Sequence, residues 1–300
     1  MSTDEPLTGA QLWMAGARIK TLPAAIVPVA VGAAAAVGEG ADTAWWRAIA
    51  ALIVAVALQV GVNYANDYSD GIRGTDDERR VGPLRLVGSG LVASGAVKRA
   101  AILSFGVAGV VGSLLALVVG PELFVVGAAS ILAGWTYTGG PRPYGYLGLG
   151  EVFVFVFFGL MATVGTTYVL LETVQPLSLV ASVAVGLWAT ALLVVNNLRD
   201  IEGDRLANKN TLAVRIGVRA TRIGFALMHV VALAAALGAV VGFGRWAGLM
   251  VIFGLGFMIQ AVVDVLKGAT GKALIKVLGL TAAVQLVSGL AFALGLALSG

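Results

Sequence analysis

The sequence predicts an all-α polytopic membrane protein with about nine transmembrane helices. Three observations carry this expectation. The 300 residues are 59% apolar and only 12% charged, against about 25% charged in an average soluble domain. Mean hydropathy is +0.94. Apolar runs of about 18 to 22 residues recur along the chain, each long enough for a hydrocarbon core of about 30 Å.

The segments lie near 21–38, 46–66, 100–119, 123–138, 150–171, 177–197, 221–242, 246–266 and 273–298. Short Gly- and Pro-rich turns bound them on one side, at Gly38 to Thr43, Gly120-Pro121, Gln175-Pro176 and Gly242 to Gly244. Longer polar loops lie on the other. The opening stretch, Met1 to Gln11, is acidic and lacks the basic, apolar, then small-residue order of a cleaved signal, so the first segment is expected to be retained. The absence of cysteine removes disulfide and thiolate chemistry.

Charge sets the expected orientation. Of the 20 Lys and Arg residues, all except Arg47 and Arg245 fall in the N-terminal stretch or the longer polar loops. The positive-inside rule then puts the N-terminus and those loops in the cytoplasm. An odd helix count puts the C-terminus outside. These loops also account for the pI near 9.5, so no nucleic-acid partner is implied.

One polar stretch dominates. It runs Asn63-Tyr64-Ala65-Asn66-Asp67-Tyr68-Ser69-Asp70 and continues through Arg73, Asp76, Asp77, Glu78, Arg79 and Arg80 to Arg85, directly after an apolar run. Residues three or four apart share a helix face, so Asn63, Asn66, Asp67 and Asp70 are expected to point one way. The sixth segment ends similarly, in Asn196-Asn197-Leu198-Arg199-Asp200 and then Asp204 and Lys209. Asn63 and Asp67, like Asn196 and Asp200, are four apart. This echo suggests one domain over 1–300, built of two halves at about 15–138 and 145–266 with an extra helix at 273–298.

Uncompensated carboxylates at membrane level are costly, so the pair of clusters should bind something cationic. Without Cys, and with His229 as the single histidine, a soft-metal site is excluded. Oxygen ligands from Asp67, Asp70, Asp200 and Asp204 suit Mg²⁺ or Mn²⁺, which commonly share substrate phosphate oxygens. With a diphosphate added, two Mg²⁺ would leave about three negative charges, within reach of Arg73, Arg80 and Lys209.

The pattern Asn66-Asp67-x-x-Asp70 with Asp200-x-x-x-Asp204 resembles the paired aspartate-rich motifs of the UbiA-type intramembrane prenyltransferases. Arg18-x-Lys20-Thr21-Leu22-Pro23, Gly74-Thr75-Asp76, Gly82-Pro83-x-Arg85, Tyr137-Thr138-Gly139-Gly140-Pro141 and Asn196-Asn197-x-Arg199-Asp200-Ile201 are similar to the branch of that family whose acceptor is 1,4-dihydroxy-2-naphthoate. One departure is visible: Asn208 stands where the family has glycine before Lys209, and Asn tolerates the left-handed backbone better than most residues.

The resemblance implies nine helices around a central cavity with cytoplasmic caps, in a cytoplasmic membrane. It implies that the two motifs, with Asn63, Asn66 and Asn196, bind a polyprenyl diphosphate with Mg²⁺. Diphosphate departure would leave an allylic cation, attacked by the naphthoate ring with loss of CO₂ to give demethylmenaquinone. Metal ions stabilise such a leaving group, and an apolar chamber protects the cation from water. Aromatic faces at Tyr64, Tyr68, Tyr137 and Tyr144 could stabilise it or serve as interfacial belt residues.

Other polar residues carry two readings. Arg18 and Arg142 fit the carboxylate of an aromatic acid or a positive-inside anchor. Glu151 fits the acceptor site or the dipole of the helix it begins. His229 reads as a packing residue, Asp264 with Lys267 as a helix-end ion pair, and Trp45 and Trp46 as interface anchors. The residues alone identify no catalytic base. Two rival functions remain at this level: a sister prenyltransferase with another aromatic acceptor, and a cation-coupled transporter using intramembrane carboxylates.

Overall fold

The computed structural model describes residues 8–39, 44–74 and 84–300. It is helical, with no strand among the described residues. The helices are α1 Gly9–Ala17, α2 Pro23–Ala35, α3 Trp45–Arg73, α4 Ser94–Val119, α5 Glu122–Thr136, α6 Gly150–Leu171, α7 Pro176–Leu206, α8 Leu212–Gly242, α9 Trp246–Leu266 and α10 Lys272–Leu298.

Each predicted apolar segment overlaps one helix, but not every helix is a full crossing. Among the described residues seven are long and apolar enough to span a bilayer, or eight if α1 and α2, bent by 51°, count as one. Two expected spans come out short for local reasons. Pro23 starts α2 and the left-handed Gly38 follows its end. Gly120-Pro121 and Gly139-Gly140-Pro141 bracket the 15 residues of α5.

Start and stop signals set the remaining ends. Thr8 and Gln11 form a reciprocal capping box at α1. Gly74, at φ 69°, closes α3 only after it has carried Asn63, Asn66, Asp67 and Asp70 as continuous helix. Inside α6, Phe155–Met161 winds as a π-helix, a distortion that frequently accompanies functional sites.

The core sits between α2, α7, α8 and α10, where Val27, Val31, Val185, Trp188, Ala236 and Phe292 are fully or almost fully buried. A second cluster joins α3 to α4 through Tyr64, Ala65, Val97, Ala101 and Phe105, with Leu86 inserted from the following loop. Helix α7 packs against α6, α8 and α10, while α5 packs on α4 and α3.

Backbone contact replaces side-chain packing where α6 crosses α7. A Cβ added at Gly159 would meet the Gly186 Cα at 2.5 Å. Gly159→Val should therefore overpack the crossing by about 1–3 kcal/mol. The expected outcome is a thermal midpoint in detergent several degrees below that of the unaltered protein; an unchanged midpoint would show that the crossing can open.

Candidate active site

The C-terminal halves of α3 and α7 converge on a cavity of about 530 Å³. Its polar mouth carries Arg18, Asp70, Arg85, Asp200, Asp204 and Lys209; its depth is lined by Val54, Gly112, Phe124, Phe158 and Val169. The two helix ends are joined by one cation. The Lys209 Nζ lies 3.9 Å from Asp70 Oδ2 and 3.7 Å from Asp204 Oδ1. Burial alone would lower the pKa of Lys209, but the carboxylates of Asp70 and Asp204 outweigh it and hold it above the ordinary lysine value.

Local structure positions this lysine. Asn208 adopts φ 55°, the left-handed conformation anticipated for a glycine substitute, and the Lys209 amide donates to Asp204 O at 2.8 Å. Asn208→Gly should leave the thermal midpoint within about 1 °C, because glycine accepts this φ freely. Asn208→Ala should lower stability by about 1 kcal/mol, a ranking that thermal unfolding in detergent checks; equal stability of both variants would contradict it.

Further polar contacts frame the carboxylates. Tyr146 donates its hydroxyl to Asp70 Oδ1 at 2.9 Å, and its ring lies beneath both Arg73 and Lys209, at 5.2 and 5.3 Å. Arg199 grips Asp200 with two hydrogen bonds of 2.7 Å. Thr138 donates to Asn66 Oδ1 at 2.8 Å, and Asn63 donates to Ala17 O and to Thr21 Oγ1. Arg73 is spent on the carbonyls of Thr138 and Gly140. It therefore holds the loop after α5 and, unlike the diphosphate-binding role expected of it, lies outside the cavity lining.

An aromatic ladder runs from the mouth inward. Tyr137 and Tyr144 are 5.4 Å apart, Tyr144 stacks on Phe153 at 3.8 Å, and Phe157 follows at 6.0 Å. Burial pushes the Tyr144 hydroxyl above its ordinary pKa. Tyr144 thus stays a neutral phenol. Glu151 is buried outside the cavity lining, where it accepts from Asn197 Nδ2 at 2.9 Å, so it does not itself line the acceptor site.

Not every expected residue reaches the cavity. The carboxylate of Asp67 turns away from it and accepts the backbone amides of Leu86 and Val87, at 2.9 and 3.0 Å. Tyr64 donates to Trp13 O, and Tyr68 packs on Trp135 beneath Lys98, so neither ring lines the chamber. Arg142 is exposed and lies outside the lining. Asn196 lines the cavity, its amide donating to Leu192 O. Asp264 pairs with Lys276 at 3.4 Å rather than with Lys267, because a neighbouring helix supplies the cation. His229 is buried against Phe225 O, in keeping with a packing role. Arg80, with Asp76, Asp77, Glu78 and Arg79, lies outside the described residues.

Sequence spacing did not mark Tyr146, Asn197 or Arg199 as site residues. Tyr146 sits in the short turn Tyr144–Leu147, where no helical period points to the α3 carboxylates. Arg85 was visible only as part of a motif.

A mouth of carboxylates and cations over an apolar chamber defines a class: a membrane protein that handles an amphiphile with an anionic head and a long apolar body. The chain belongs to the UbiA prenyltransferase family, which it matches over residues 25–282, and it is a prenyltransferase. It is 46% identical over 285 residues to a 1,4-dihydroxy-2-naphthoate octaprenyltransferase of Mycobacterium tuberculosis, covering 95% of this chain and 96% of that one. The protein of the same description from Escherichia coli is 40% identical over 228 residues, covering 72% and 71%. Among solved structures, a UbiA homologue from Aeropyrum pernix superposes with a TM-score of 0.72 at 17% identity, covering 91% of this chain and 97% of that one. A homologue from Archaeoglobus fulgidus, bound to DMAPP and Mg²⁺, gives 0.61 at 14% identity, with 93% and 98% covered. At these identities the structural likeness is one of fold.

Proposed function

We propose that this prenyltransferase moves a polyprenyl group from its diphosphate to 1,4-dihydroxy-2-naphthoate, with loss of the naphthoate carboxyl as CO₂, giving the hydroquinone form of demethylmenaquinone. The observation that carries the reading is the mouth itself: Asp70, Asp200, Asp204 and Lys209 border one end of an otherwise apolar chamber. The descriptions of the M. tuberculosis and E. coli relatives support this choice of acceptor.

The donor set fits a hard cation. Its ligands are oxygens, and among the described residues no three His, Cys, Asp or Glu side chains approach closely enough to hold a metal unaided. The carboxylates instead face one another across Lys209, which suits an ion completed by substrate phosphate oxygens. Asp70, Asp200 and Asp204, with Asn66 beside them, would hold Mg²⁺ or Mn²⁺; when bound, such an ion supplies charge neutralisation for the departing diphosphate.

The chain's own groups do the rest. Lys209 and Arg85 meet the diphosphate as it leaves with the electron pair of the C–O bond. Tyr137, Tyr144 and Phe153 present neutral π faces to the allylic cation, and the apolar depth excludes water. The ring carbon bearing the carboxyl forms the new C–C bond and then releases CO₂, whose bonding electrons restore the aromatic ring. Arg18 borders the acceptor, Glu151 stands behind the cavity wall and fixes the lining residue Asn197, and the mouth opens to the cytoplasm under the positive-inside rule.

A Mg²⁺-dependent assay with radiolabelled polyprenyl diphosphate tests this directly. A lipid product formed from 1,4-dihydroxy-2-naphthoate with stoichiometric CO₂ is the expected outcome. Product from 4-hydroxybenzoate alone would move the enzyme to another acceptor, and no product from either, in folded protein, would overturn the reading.

Asp200→Asn and Asp204→Asn should each cut turnover at least about a hundredfold with the fold retained in detergent; wild-type rates would remove both from the metal set. Lys209→Ala should raise the apparent KM for the diphosphate roughly tenfold and leave that for the naphthoate unchanged. Equal changes in both constants would remove Lys209 from diphosphate binding.

A further inference from the structure

Asp67 lies beside the site without entering it. It is fully buried, sits one helical turn before the mouth residue Asp70, and gives both carboxylate oxygens to the loop that follows. Oδ2 accepts the Leu86 amide at 2.9 Å and Oδ1 the Val87 amide at 3.0 Å. Such charge-assisted bonds to backbone are among the stronger ones available to a carboxylate. The loop is fixed on its other side by Leu86, wholly buried among Tyr64, Ala65, Val97, Ala101 and Phe105.

The residue just before these two amides is Arg85. It lines the cavity mouth, and its Nη2 stands 3.9 Å from Asp70 Oδ2. Two carboxylates of one helix thus treat the same loop differently: Asp67 holds its backbone, and Asp70 meets its guanidinium. A one-residue shift of the loop would withdraw the cation from the mouth.

We propose that Asp67 is a positioning residue and not a metal ligand: it clamps the Leu86 and Val87 amides so that Arg85 faces the diphosphate of the substrate. This rests on the diphosphate reading of the mouth. Arg85 supplies a planar fork of donors suited to phosphate oxygens, and a cation on an unclamped loop would lose ordering entropy on every binding event.

The test separates the clamp from metal ligation. Asp67→Asn keeps the shape but offers an amide where two acceptors were needed. Hydrogen exchange in detergent should become at least tenfold faster at the Leu86 and Val87 amides. Mn²⁺ binding in the presence of saturating inorganic pyrophosphate, followed by paramagnetic resonance, should stay within twofold of the unaltered protein. In turnover, the KM for geranyl diphosphate should rise at least fivefold with the naphthoate KM unchanged. Arg85→Ala should reproduce that split, and adding it to Asp67→Asn should change the KM by less than twofold, because both remove one cation.

Unchanged amide exchange, Mn²⁺ binding weakened as much as by Asp70→Asn, or multiplying effects in the double variant would overturn the proposal. If Asp67→Asn fails to fold, Arg85→Ala alone decides, and an unchanged diphosphate KM there counts against it. A failure of the underlying function looks different: the unaltered protein would make no prenylated product, while exchange and Mn²⁺ binding would still report the clamp.

Discussion

The ammonium of Lys209 between Asp70 and Asp204 is the contact on which the rest of the site depends. It ties the end of α3 to the end of α7, two helices separated by more than a hundred residues of chain. Without it, carboxylates from the two helices would face each other at the rim of a low-dielectric chamber, where like charges repel far more strongly than in water. With it, the helix ends are drawn together and the mouth acquires one geometry. Arg199 performs the same service for Asp200 within α7, and Tyr146 for Asp70 from the turn before α6. Removing one member of such a buried network costs more than forming it gains, because the partner is left charged and unpaired.

This network is charge-balanced before substrate arrives, which shapes how binding must proceed. A diphosphate cannot add to a vacant cationic surface, since Lys209 and Arg85 already face carboxylates. It must exchange partners with them; Asp70, Asp200 and Asp204 would hold a divalent ion, which would offset most of the negative charge the diphosphate brings. The energetic gain then lies in the fit of ion, phosphate and cations together. The apolar depth contributes separately, through area removed from water along the isoprenoid chain. Polar mouth and apolar depth meet at Tyr137, Tyr144 and Phe153, where charge would develop and where neutral π faces are available.

The helices were legible in the sequence because membrane burial leaves a direct record in apolar run length. Their ends were harder to read: α2 and α5 are cut short by flanking Pro and Gly, while a hydropathy run ignores such breaks. At the site, the recurring Asn/Asp pattern pointed to the ends of α3 and α7, and Asp70, Asp200 and Asp204 line one cavity. That pattern could not separate Asp67 from Asp70. Three helical steps leave those two about 60° apart, close enough to share a face on paper and far enough for the Leu84–Val87 loop to capture one of them. Tyr64 and Tyr68 show the same ambiguity, since both fall on the flank packed against α1, α4 and α5. Tyr146 and Lys276 lay beyond any local pattern, because each meets its carboxylate through tertiary packing.

The division between Asp67 and Asp70 also explains why the polar run on α3 is so dense. A mouth that opens to water needs a loop to complete it, and a loop near a bilayer cannot be held by apolar burial alone. Leu86 supplies the apolar hold, while the backbone of its neighbours still needs partners. A buried carboxylate can satisfy two adjacent amides at once, something a single hydroxyl or carboxamide oxygen does less strongly. Placing that carboxylate three residues before Asp70 couples the loop to the helix that carries the site. Any shift of α3 along its axis then moves the clamp and the mouth carboxylate together, and Arg85 keeps its station relative to both.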